Sequence, residues 1–121
     1  MSKGPLIAIV DDDESMRDTV KDLLESAGFS AATFACAEKF LKSRRLNRIS
    51  CLIADMRMPG MSGLELHQHL VASNHAIPTI LMTAYPDERV QAQAIKANVI
   101  AYLAKPFAAE ELLAAVRSSV R

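Results

Sequence analysis

Residues 51–65 read Cys51-Leu52-Ile53-Ala54-Asp55-Met56-Arg57-Met58-Pro59-Gly60-Met61-Ser62-Gly63-Leu64-Glu65. Cys51 to Ala54 is a short continuous apolar run, which predicts a buried strand, and Asp55 ends it. Met58-Pro59-Gly60 breaks the chain. Ser62, followed by Glu65 at the third position after it, has the form of a capping box, so a helix is predicted to start near Gly63. Leu64, His67, Leu70 and Val71 mark its expected inner face. Strand, turn and helix in that order make one βα unit.

The same unit recurs on both sides. Toward the N-terminus, Leu6-Ile7-Ala8-Ile9-Val10 reads as a buried strand. Met16, Val20, Leu23, Leu24 and Ala27 then form an apolar stripe at helical spacing, stopped by Gly28. Ala31 to Phe34 reads as a weaker strand, and Ala37 to about Arg45 as a helix carrying Phe40 and Leu41. Toward the C-terminus, Pro78 to Thr83 predicts a strand, Asp87 to Ala97 a helix closed by Asn98, Val99 to Leu103 a strand, and Ala108 to Val120 a helix. Five strands alternating with five helices imply a parallel sheet covered on both faces. The expected fold is α/β, a doubly wound (βα)5 sheet of flavodoxin-like order 2-1-3-4-5.

In such a sheet the C-terminal ends of all strands share one edge, where ligands bind. Here those ends carry Asp11-Asp12-Asp13, Asp55, Thr83 and Lys105-Pro106. Asp13 alone is explained as a helix cap. Three other carboxylates at one edge would repel one another and raise each other's pKa values. A divalent cation relieves that, and hard oxygen donors on a shallow edge suit Mg²⁺, or Mn²⁺ in its place. Asp11, Asp12 and Asp55 with Mg²⁺ and Lys105 sum to zero charge, so the edge can tolerate one added phosphoryl group.

The bulk properties restrict the alternatives. The chain has 121 residues, enough for one self-supporting core, and its fourteen acids balance fourteen bases. It has no overall basic field for nucleic acid or an anionic membrane, and Lys42-Ser43-Arg44-Arg45 with Arg48 reads as a solvated helix end. No apolar run is long enough to span a bilayer, and Met1 to Pro5 leads into only a short one, so no secretory signal is read. Cys36 and Cys51 are then expected as free thiols in the cytoplasm. His67 and His69, two positions apart on a helix, do not suggest a metal site.

Four segments together resemble the receiver domains of two-component response regulators: Ile9-Val10-Asp11-Asp12-Asp13-Glu14, Asp55 to Gly63, Leu81-Met82-Thr83-Ala84 and Ala104-Lys105-Pro106-Phe107. The resemblance covers essentially the whole chain and implies one receiver domain, residues 1–121. It implies that Asp55 accepts a phosphoryl group from a sensor histidine kinase. Asp12, Asp55 and the backbone carbonyl of Arg57 would bind Mg²⁺ directly, and Asp11 through water. Lys105, preceding a cis proline, and Thr83 would hold phosphoryl oxygens. Thr83 and Tyr102 would form the switch, turning the face built from 87–96, 99–103 and 108–120 toward a homodimer or an output domain. The chain would not be an enzyme, apart from promoting its own phosphorylation and its own loss of phosphate. The motif wording is similar to receivers joined to C-terminal DNA-binding outputs, which would lie outside this chain; the domain itself would not touch nucleic acid. Asn98 stands where many receivers have glycine, and Tyr85 is expected to overhang the phosphoryl group.

Two other readings compete. A haloacid dehalogenase-type phosphatase would use Asp11 as nucleophile, but Glu14-Ser15 stands where that family has glycine and threonine. A receiver-like scaffold working without phosphorylation would ordinarily have lost one of the acids, the threonine or the lysine, all of which are present.

Overall fold

The structure is a computed structural model describing residues 4–120. The reading of Met1 to Lys3 lies outside the described residues. The elements follow in the order β1 (Leu6–Val10), α1 (Glu14–Ser26), β2 (Ser30–Phe34), α2 (Ala37–Leu41), a 3₁₀ turn (Leu46–Arg48), β3 (Ile49–Asp55), α3 (Gly63–Ala72), β4 (Thr79–Thr83), α4 (Glu88–Lys96), β5 (Ala101–Ala104) and α5 (Ala109–Ser119). All strand pairings are parallel and the order is β2-β1-β3-β4-β5. Fold class and strand order are as the sequence predicts.

Strand alternation sorts the core into two layers. Ala8 and Val10 of β1, with Leu52 and Ala54 of β3, pack against Phe40, Leu66, Leu70 and Ala94 on one face. Ile7 and Ile9, with Cys51 and Ile53, pack against Val20, Leu24, Leu112 and Val116 on the other. The central strands are buried on both faces, which is why they read as unbroken apolar runs.

Four local expectations need correction. The α2 helix ends at Leu41, not near Arg45. Lys42 to Arg45 has no apolar side chain to bury, and the Ser43 N–H turns back to the Phe40 carbonyl at 3.0 Å. The β3 strand begins two residues early, because Ile49 pairs with Leu6 across a register shift. The β5 strand starts at Ala101, since Val99 and Ile100 close the turn after α4 through N–H bonds to Ala94 and Thr79. On α3, Val71 is 47% exposed while Leu66 is fully buried. Val71 stands beside Lys96 and Asn98, where α4 has ended and no longer covers it. Gly28 and Asn98 take positive φ as expected, at 92° and 62°.

Candidate functional site

Five expected residues converge at the C-terminal edge. Asp11 follows β1 and is held there by its N–H bond to Phe34 at 3.1 Å. Its side chain is wholly buried. One carboxylate oxygen accepts the Asp13 N–H at 2.9 Å and the other meets Lys105 Nζ at 3.1 Å. Asp13 turns to cap α1, accepting the N–H groups of Ser15 and Met16. Asp55, at the end of the central strand, lies 3.3 Å from the same Lys105 nitrogen. Asp12 is exposed and completes the group: Asp11, Asp12 and Asp55 each offer an oxygen within 4.8 Å of the others.

One lysine among three carboxylates leaves the cluster at minus two. Burial, then the charge of Asp11, raises the Asp55 pKa above 3.8 even though Lys105 opposes the shift. Burial would lower the pKa of Lys105, but Asp11 and Asp55 outweigh it and raise the value above 10.5. An all-oxygen donor set with two surplus negative charges and one exposed member matches a hard divalent cation that keeps part of its water. The residues present therefore fit Mg²⁺.

Thr83 ends β4, is 2% exposed, and its hydroxyl accepts the Tyr85 N–H at 3.0 Å. The Lys105 N–H donates to the Thr83 carbonyl at 2.7 Å, so β4 and the turn carrying the lysine are tied together. The Lys105–Pro106 peptide is cis. Tyr102 is half-buried, and its hydroxyl accepts the Asp87 N–H at 3.3 Å. A cavity of about 70 Å³ separates it from Thr83, bordered also by Met56, Arg57 and Tyr85. The Arg57 guanidinium lies 4.6 Å from the centroid of the Tyr85 ring, within cation–π range.

Two contributors were missed. Arg17 donates to the Asp11 carbonyl at 2.7 Å, pinning the acidic turn from α1. Its signal was a basic residue early in a helix, where the macrodipole favours acids. Gly63 brings α3 against Asp55: a Cβ there would stand 2.6 Å from the Asp55 carbonyl oxygen. That glycine looked like a mere helix start.

Known proteins share this fold. The family profile for the response regulator receiver domain matches residues 7–117. The transcriptional regulatory protein FixJ of Bradyrhizobium diazoefficiens is 36% identical over 115 residues, which are 95% of this chain and 56% of FixJ. The C4-dicarboxylate transport transcriptional regulatory protein DctD of Rhizobium meliloti is 37% identical over 97% of this chain and 25% of its own length. The chain thus spans about half, or less, of these relatives. Among solved structures, the response regulator StyR superposes with a TM-score of 0.89 at 44% identity, covering 98% of this chain and 60% of that one. FixJ-N superposes with a TM-score of 0.85 at 30% identity, covering 99% and 95%. With the strand order, the acidic cluster and these matches agreeing, the chain belongs to the response regulator receiver domain family.

Proposed function

We propose that Asp55 accepts a phosphoryl group from a sensor histidine kinase and that the modification switches the α4-β5-α5 face. The observation carrying this reading is the junction of Asp11, Asp12, Asp55 and Lys105 at one strand edge. A carboxylate oxygen of Asp55 forms the bond to phosphorus as the phosphorus–nitrogen bond to the kinase histidine breaks, the imidazole leaving with the electron pair. Asp12 and Asp55, with the Arg57 carbonyl, would hold Mg²⁺, and Asp11 would act through water. When bound, the ion supplies positive charge to the phosphoryl oxygens. Lys105 pairs with one of those oxygens, and the Thr83 hydroxyl turns from the Tyr85 N–H to another. Later attack by water on phosphorus releases phosphate and restores the Asp55 carboxylate.

Asp11 suits the nucleophile's role poorly, being wholly buried with both oxygens engaged. Thr83 and Tyr102, on either side of the small cavity, would transmit the change to α4 by a population shift. Ile95 and Ile100, 66% and 45% exposed, lie on the face that would meet a second copy or an output domain. The named transcriptional regulators among the relatives make a transcriptional output the favoured one.

Intact mass after incubation with acetyl phosphate, with and without Mg²⁺, tests the assignment beside Asp55→Asn. A Mg²⁺-dependent gain of one phosphoryl group, absent in Asp55→Asn, is expected. A gain that persists in Asp55→Asn would move the nucleophile elsewhere.

A further inference from the structure

The α4 helix is held differently at its two ends. Along its length it buries one side chain, Ala94. At the N-terminal end, the Asp87 N–H reaches the Tyr102 hydroxyl at 3.3 Å, an exposed and long hydrogen bond. The C-terminal end is tied to buried groups. His67 of α3, 4% exposed, directs Nε2 at the carbonyl of Ala97, the C-cap of α4, at 2.7 Å. Because that partner is a carbonyl, Nε2 carries the hydrogen and donates it. The opposite ring nitrogen, Nδ1, lies 2.8 Å from the Thr79 hydroxyl at the start of β4. That hydroxyl is also 2.8 Å from the Ile77 carbonyl, and its hydrogen can serve either group. The Thr79 carbonyl accepts the Ile100 N–H at 2.8 Å, fixing the turn that leaves α4.

Helix C-termini leave carbonyls without intrahelical partners. Here a buried imidazole from a neighbouring helix takes one of them and is itself fixed by a strand. We propose that His67 is the pivot of α4: its bond to the Ala97 carbonyl holds the C-terminal end on α3 and β4, and displacement of α4 is confined to its N-terminal end. The pivot follows from hydrogen bonding and burial alone. Its use in signalling rests on the switch proposed above, since a helix anchored at one end converts a change near Thr83 and Tyr102 into a swing of one direction.

Amide hydrogen exchange of the full chain tests the pivot without phosphorylation. In the wild type, the amides of Val99 and Ile100 are expected to exchange at least tenfold more slowly than those of Arg89 and Val90; the reverse order overturns the proposal. His67→Leu keeps bulk but loses the donor, and should speed exchange at Val99 and Ile100 at least tenfold while β1 and β3 are unchanged. Unaltered protection would mean that the ring acts by bulk alone, and the pivot fails. Thr79→Val keeps the bond to Ala97 and should have a smaller effect than His67→Leu; an equal or larger one overturns the assignment to that bond. If His67→Leu does not fold, the wild-type order of exchange still decides. Phosphoryl labelling of the same samples reads Asp55 separately: no labelling by either acetyl phosphate or a phosphorylated histidine kinase would sink the phosphoacceptor reading and leave the exchange result standing.

Discussion

Asp11 and Lys105, ninety-four positions apart in the chain, meet in a 3.1 Å ion pair. The carboxylate is fully buried and the lysine side chain is 16% exposed. Removing one partner of a buried pair costs about 3–5 kcal/mol, and less where solvent reaches one member. Lys105→Met is therefore expected to destabilise the metal-free protein by about 1–3 kcal/mol in urea unfolding at neutral pH. Mg²⁺ should restore part of the loss by facing the carboxylates in its place. A variant as stable as wild type would show that the pair contributes nothing.

The pH dependence of the metal-free protein follows from Asp55. Burial and Asp11 raise its folded pKa above the ordinary 3.8. The folded chain then holds this proton more tightly than the unfolded chain. The resulting stability is complete below pH 3.8 and is lost as pH rises through the folded value. Asp55→Asn is neutral throughout and escapes that loss. It should be more stable than wild type at pH 7, with the gap closing near pH 3. Parallel stability curves from pH 3 to 7 would contradict the stated origin of the shift.

Mg²⁺ itself should stabilise the fold. At a free concentration of 100 times the dissociation constant, linkage gives about 2.7 kcal/mol. Asp12 is the exposed donor and has no hydrogen-bond or ion-pair partner among the described residues, so Asp12→Ala should abolish most of the Mg²⁺-induced rise in Tm while leaving the metal-free Tm near or above wild type. A full Mg²⁺ response in Asp12→Ala would remove it from the donor set.

Gly63 and Asp55 are packed too closely for a side chain between them. An alanine methyl at 63 would also stand 3.0 Å from a Leu81 methyl. Gly63→Ala is expected to cost about 1–3 kcal/mol and to slow acetyl phosphate labelling by displacing Asp55. Ser62→Ala is the control. It breaks the capping box between Ser62 and Glu65, at a cost of about 0.5–2 kcal/mol, without touching the Asp55 backbone. Equal labelling rates in the two variants would show that Gly63 has no effect beyond helix stability.

Tyr85 is 64% exposed yet held by Arg57, a contact worth about 0.5–1 kcal/mol at such a site. An ordered ring beside Thr83 can narrow the approach of water to a phosphoryl group on Asp55. Tyr85→Ala should shorten the lifetime of the phosphorylated form severalfold, and Arg57→Ala should act in the same direction by freeing the ring. Decay rates unchanged in both would remove the ring from that role.

The strands that build the site were legible because burial on both faces writes them as apolar runs, and their ends were legible because charge interrupts those runs. Asp11, Asp55 and Lys105 were found that way, and Thr83 by its hydroxyl at the end of the fourth run. The bounds of β5 were not, since Val99 and Ile100 are apolar yet serve a turn. Val71 misled for a related reason: its helical phase is right, but α4 stops short of it. Arg17, Gly63 and His67 act through carbonyls and close approach of backbone, and sequence pattern does not record which backbone group a side chain meets. His67 was placed correctly on the inner face of α3, while its bond to Ala97, thirty positions away, depends on how α3 and α4 sit together.

A helix that buries only Ala94 leaves Glu88, Arg89, Gln91, Gln93, Ile95 and Lys96 facing outward. Exchanges at such positions ordinarily change stability by less than about 0.5 kcal/mol. Drift can rewrite that surface almost freely, while the strand ends, locked by charge and burial, cannot follow. One lineage could thus acquire new listeners without relearning its chemistry, and two copies in one cell could diverge in whom they address long before they diverge in how they are charged.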